Sequence, residues 1–181
     1  MSETSRSQSA NAPLIVTAEL PKDLASWATA LRDAHFPPER NFLKAHVTLF
    51  HAIPPMCASE LHDVLAAMVR ETAPVAGKIE GLMSLGGGTA IKLASQPMRN
   101  LRAEIAEHFH GMLTGQDQHA PRLHITIQNK VTSKEAKELQ AELEEIVQPG
   151  AFRFRGLSVF RYLGGPWELV KTHVFRGAPR V

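Results

Sequence analysis

Cysteine is nearly absent: Cys57 stands alone among 181 residues. That excludes an internal disulfide framework and any multi-cysteine zinc site, and it fits a reducing compartment. Cys57 itself reads as a small buried apolar residue. No run approaches the eighteen or more apolar residues of a membrane span. No basic run or stripe is present either, and the formal net charge is only +2, so a dedicated duplex-binding surface is not expected. H-E-x-x-H does not occur, and no Lys-Ser/Thr pair follows the glycines at 86–88, so neither a zinc-hydrolase helix nor a phosphate-cradling loop is encoded. Residues 1–12 are rich in Ser, Asn and Thr without an apolar stretch, which predicts a disordered tail and not a signal peptide. These absences lead to the expectation of a cytoplasmic protein with no membrane contact; a monomer with no metal and no cofactor is expected beside it.

What is present is an ordinary globular composition, 44% apolar and 21% charged, and one unusual repetition. Lys44-Ala45-His46-Val47-Thr48 and Arg122-Leu123-His124-Ile125-Thr126 both read cation, apolar, histidine, apolar, threonine. Side chains alternate faces along a strand, so cation, imidazole and hydroxyl share one face. Val47 and Leu49, or Ile125 and Ile127, then anchor the opposite face in a core. The chain holds nine His and ten Thr. Chance would supply about 0.1 such His-apolar-Thr-apolar segments, and two are found.

Around the pentads the pattern alternates. Residues 14–19 form a β-branched apolar run, and residues 22–35 carry a helical stripe of Leu24, Trp27, Ala28 and Leu31 that ends before Pro37. The His46 strand should cover about residues 44–52. Ser59 is a candidate N-cap for a helix burying Leu61, Val64, Leu65 and Met68. Two strands, 78–85 and 89–94, flank a glycine turn. Ser95 and Pro97 open a helix with Met98, Leu101, Ile105, Phe109 and Met112 inward. Thr132 and Glu135 form a capping box ahead of a helix burying Ala136, Leu139, Leu143 and Ile146. Residues 152–162 and 167–175 suggest a closing hairpin. The order strand, helix, H-x-T strand, helix, strand thus occurs twice, with the motif histidines 78 residues apart (46 to 124). Such a duplication would bring two matching strands together at a central cleft.

With two H-x-T-x segments, His46-Val47-Thr48-Leu49 and His124-Ile125-Thr126-Ile127, the sequence resembles the two-histidine (2H) phosphoesterases. That superfamily includes the bacterial RNA 2′,3′-cyclic phosphodiesterases, also called 2′-5′ RNA ligases. The resemblance covers about residues 13–181 and implies a single two-lobed α+β domain, pseudo-duplicated, with two antiparallel sheets lining a central cleft and helices outside. It implies metal-independent opening of 2′,3′-cyclic phosphates at RNA 3′ ends or on nucleotides, with 2′-5′ ligation as the reverse reaction. His46 and His124 would be acid and base, with His124 favoured as the base, and Thr48 and Thr126 would bind phosphate. Lys44 and Arg122, on the same face, could neutralise it. Tyr162 and Trp167 could stack on a base, although core packing fits Trp167 better. Phe50 and His51 follow the first motif but Gln128 and Asn129 the second, so the halves are not chemically identical. A phosphodiesterase for small cyclic nucleotides, or a binding module for nucleotides or RNA ends without turnover, would show the same motifs.

Overall fold

The computed structural model describes residues 11–178; most of the expected tail lies outside the described residues. The chain runs β1 (Leu14–Glu19), α1 (Lys22–His35), β2 (Val47–Ile53), α2 (Ala58–Glu71), β3 (Val75–Ser84), β4 (Gly88–Ala94), α3 (Gln96–His108), β5 (His124–Asn129), α4 (Ser133–Leu143), β6 (Gly150–Phe154), β7 (Gly156–Tyr162) and β8 (Trp167–Val174). The strands form two four-stranded antiparallel sheets, ordered β2-β1-β7-β8 and β5-β4-β3-β6.

The twofold repetition survives into the topology with an exchange. β3 closes the first β-α-β-α unit but pairs with β4 of the second, while β7 follows the second unit and pairs with β1 of the first. The 152–162 stretch is therefore not one strand. The chain changes sheets at Arg155, whose N–H donates to the Glu19 carbonyl (2.8 Å) and whose carbonyl accepts from Phe175 N–H (2.9 Å). Both backbone groups of the crossing residue are thereby satisfied. The β7–β8 hairpin forms as expected.

Local signals set the element ends. Ser95 Oγ accepts from Met98 N–H (3.2 Å), and the Thr132–Glu135 capping box is complete. α1 stops where Phe36, before Pro37, is pushed into the extended region. Other expectations need correction. α2 starts at Ala58 with Cys57 at the N-cap and no side-chain cap from Ser59, and Val69 joins Leu61 and Leu65 inside where Val64 and Met68 are half-buried. Met112 and Ile146 lie beyond the ends of α3 and α4 and are exposed. The glycine triplet is a hairpin turn, with Gly86 at φ +79°. A Cβ on Gly88 would lie 2.2 Å from the Gln128 carbonyl oxygen, so close strand packing also requires glycine there.

One continuous core joins the layers. Val47 and Leu49 of β2, and Ile125 and Ile127 of β5, are fully buried in it with Leu14, Val16, Ile91 and Phe154. At about 1.5–3 kcal/mol for each such side chain, these four residues hold the opposite faces of both motif strands in place.

Candidate active site

β2 and β5 are the edge strands of their sheets, and they pack against one another without pairing. Each carries a bulge at the same motif position. Val16 pairs with Phe50 and Thr17 with Thr48, so Leu49 is the extra residue; Thr89 pairs with Gln128 and Ala90 with Thr126, so Ile127 is. A bulge bends the strand and redirects the side chains next to it. Here it follows the motif threonine in both halves.

The two imidazoles are held identically. His46 Nδ1 lies 2.7 Å from the Lys44 carbonyl oxygen, and His124 Nδ1 lies 2.7 Å from that of Arg122. A carbonyl only accepts, so Nδ1 carries a hydrogen in each ring and Nε2 is left as the nitrogen open to chemistry. Both rings are half-buried, as are Thr48 and Thr126, whose hydroxyls have no protein partner among the described residues. The pentads are not wholly strand, however. β2 begins at Val47 and β5 at His124, so Lys44 and Arg122 sit on the approaching segments with exposed side chains. What they hold onto the histidines is a carbonyl.

The two sides then diverge. The first sheet is coiled enough that diagonally opposite corners approach: Trp167, at the start of β8, sits 4.6 Å from the His46 ring, centroid to centroid, and 5.6 Å from Phe160. Burial pushes the His46 pKa down to about 4. The nearby Arg32, His124 and His51 lower it further, against the Lys44 hydrogen bond, which raises it. A cavity of about 770 Å³ opens beside His46, between the first sheet, one face of α1 and the segment 42–45, with Phe42, Lys44, Phe160 and Trp167 in its wall. It reaches the site through His46; His124 and the motif threonines do not line it. Tyr162, opposite Trp167 in the β7–β8 pairing, is 44% exposed and outside the cavity wall.

Several groups escaped the sequence reading. Lys92 is the direct cross-strand partner of His124, and its Nζ lies 3.0 Å from Glu80. His51 and Ala52 donate their backbone N–H groups to the buried Asp117 carboxylate, and His51 Nδ1 lies 3.1 Å from the same group. These bonds hold the Asp117 pKa below its ordinary value although burial opposes them. Two buried arginines, Arg32 and Arg102, reach backbone carbonyls near the motifs. The only sequence signal for them was position: each falls four residues after a buried stripe residue, Ala28 or Met98. Among the described residues no cluster of three His, Cys, Asp or Glu side chains is placed to hold a metal ion. No helix among them is long and apolar enough to cross a membrane.

The paired sheets and the two matching H-x-T-x strands define a class, and comparison with known families identifies it. A sequence model of the 2′-5′ RNA ligase superfamily matches residues 20–166, and the chain belongs to that superfamily. The fold is shared with solved structures at low identity. TT0787 of Thermus thermophilus superposes with a TM-score of 0.60 at 15% identity, covering 91% of this chain and 98% of that one. E. coli LigT complexed with 3′-AMP gives 0.58 at 14% identity, and LigT complexed with NADP+ gives 0.55 at 14%, with the same coverage. No curated protein sequence matches.

Proposed function

We propose that this protein is a metal-independent phosphodiesterase that opens 2′,3′-cyclic phosphates on nucleotides or at RNA 3′ ends, using His46 and His124 as an acid–base pair. The observation that carries this reading is the matched Nδ1–carbonyl hydrogen bond, which leaves Nε2 of each ring for proton transfer. Opening the ring needs a base to take a proton from water as its oxygen bonds phosphorus. It also needs an acid to protonate the ribose oxygen as its bond to phosphorus breaks.

The two environments favour one division of labour. An imidazole with its pKa near 4 is neutral at pH 7, so His46 can accept a proton but has none to give from Nε2. We assign His46 the role of base on this ground, the opposite of the division favoured from the sequence, and His124 Nε2 the delivery of the proton to the leaving oxygen. Thr48 and Thr126 donate to the non-bridging oxygens, where losing one such donor typically costs about 2.7–4 kcal/mol of barrier. Lys44 and Arg122 add exposed positive charge. The nucleoside occupies the cavity beside His46, with its base against Trp167; Tyr162 takes no part. A single nucleotide fits in about 770 Å³, and the bound nucleotides of LigT are consistent with such a ligand.

The test is turnover of nucleoside 2′,3′-cyclic monophosphates, and of a short RNA ending in a 2′,3′-cyclic phosphate, in excess chelator. Hydrolysis is expected in the wild type and is expected to vanish in His46→Ala and His124→Ala. A folded wild type that hydrolyses neither substrate refutes the assignment and leaves a binding module.

A further inference from the structure

Arg32 and Arg102 occupy corresponding places in the two repeats. Each lies on the first helix of its unit, Arg32 toward its end and Arg102 at its middle, four residues beyond a buried stripe residue, and each is almost wholly buried. Their contacts correspond as well. Arg32 donates from Nε to the Leu43 carbonyl (2.9 Å) and to Asn41 Oδ1 (2.8 Å), in the segment leading into its own motif. From Nη1 it donates to the Thr126 carbonyl (3.0 Å), in the motif of the other repeat. Arg102 donates from Nη2 to the Asp117 and His119 carbonyls, in the segment leading into its own motif. Its Nε lies 3.5 Å from the Leu49 carbonyl, in the motif of the other repeat. Each guanidinium also rests on a phenylalanine ring, Phe36 at 3.9 Å or Phe50 at 4.4 Å.

We propose that Arg32 and Arg102 are a symmetry-related pair of positioning residues. Each locks the motif strand of the opposite repeat to the approach segment of its own, and the pair together sets the spacing of His46 and His124. A guanidinium suits this task because its rigid fork of donors can hold two or three carbonyls at once. An edge strand without such partners would leave its backbone groups unpaired at the junction of the sheets.

The pair is symmetric in geometry but not in electrostatics. Arg32, with its pKa lowered by burial to about 10, remains charged at neutral pH and acts on His46. The other titratable or charged groups around His46 are Lys22 and Asp33 on α1, Glu19 on β1, Lys44 and His51 on its own segment, and His124 on β5. Arg102 is not among the charges that act on it. Removing the Arg32 charge should therefore raise the His46 pKa.

The experiment compares wild type with Arg32→Lys, Arg32→Met and Arg102→Lys. One readout is kcat and KM for a nucleoside 2′,3′-cyclic monophosphate; the other is an NMR titration of the His46 Cε1 proton, assigned with His46→Ala. A lysine keeps the charge but cannot hold all the carbonyls. Both lysine variants are expected to lose kcat by about 10²-fold with KM little changed, as misplaced catalytic groups do. The His46 midpoint should stay near the wild-type value in both, and Arg32→Met should raise it. The kinetic arm rests on the phosphodiesterase reading and the titration does not. Shifts as described in a wild type without turnover would refute that reading and leave the electrostatic half of the proposal standing. Lysine variants with full kcat overturn the positioning role, and an unmoved His46 midpoint in a folded Arg32→Met overturns the electrostatic one. Should Arg32→Met not fold, the same titration of Arg32→Gln decides that half.

Discussion

Replacing Trp167 with alanine removes the ring that covers His46 and admits water to the imidazole. Burial is the largest cause of the low His46 pKa, so the substitution should return it from about 4 toward its ordinary 6.5. In the wild type, about 90% of His46 is the neutral base at pH 5. With full return to 6.5 only about 3% would be. At that bound, kcat/KM at pH 5 falls about 30-fold relative to the wild type at the same pH on this account. The assay is kcat/KM for a nucleoside 2′,3′-cyclic monophosphate from pH 4 to 9 at constant ionic strength, because kcat/KM reports the groups of the free enzyme. Weaker stacking of the base would lower the whole curve and leave its acid limb in place, so the two effects separate. An acid limb unmoved in Trp167→Ala refutes the account of His46. So does a wild-type profile with no acid limb near pH 4; a fall at higher pH is the expected loss of the proton that His124 gives.

Two further outcomes concern stability. His173, buried on β8 with Nε2 3.0 Å from His62 Nδ1 of α2, has its pKa lowered to about 4 by burial and by the His62 and Lys171 charges. The unfolded chain then binds the extra proton first. Stability is fully present above pH 6.5 and falls by about 1.4 kcal/mol per pH unit down to about 4. Urea melts at pH 7.5 and 5 should show His173→Gln losing about 2 kcal/mol less than wild type on acidification, and equal losses would contradict the pairing. Thr132→Ala removes the side-chain half of the α4 capping box, leaving the Thr132 N–H bond to Glu135, and should cost about 1 kcal/mol in the same melts; no measurable change would mean that α4 is held by packing alone.

Local chemistry was the legible part of the sequence. The Ser95 cap, the Thr132–Glu135 box and the glycine turn depend on neighbours within a few residues, and the pentads announce themselves because strand periodicity places every second residue on one face. The duplication was readable from spacing alone. Contacts set by the coil of a sheet were not: Trp167 reaches His46 across the diagonal of the first sheet, a closeness that no pairwise register suggests. The crossing at Arg155 was hidden because residues 152–162 read as one continuous strand on either side of it. Arg32 and Arg102 were invisible for the opposite reason. A charged residue on an apolar stripe looks like a solvated edge of the helix until the carbonyls that need it come from elsewhere in the fold.

The exchange of β3 and β7 between the repeats also fixes when the first motif can be finished. The sheet bearing His46 needs β7 beside β1, and Trp167 arrives only with β8. During synthesis, a chain that has emerged as far as α4 therefore holds β1 and β2 as an open pair, with the unpaired edge of β1 exposed where β7 belongs. Such a pairing between distant strands closes late and slowly. The strands that bring Phe160 and Trp167 to His46 are thus also those that end the exposure of the β1 edge, so truncations before β7 should yield aggregating chains and not merely destabilised ones.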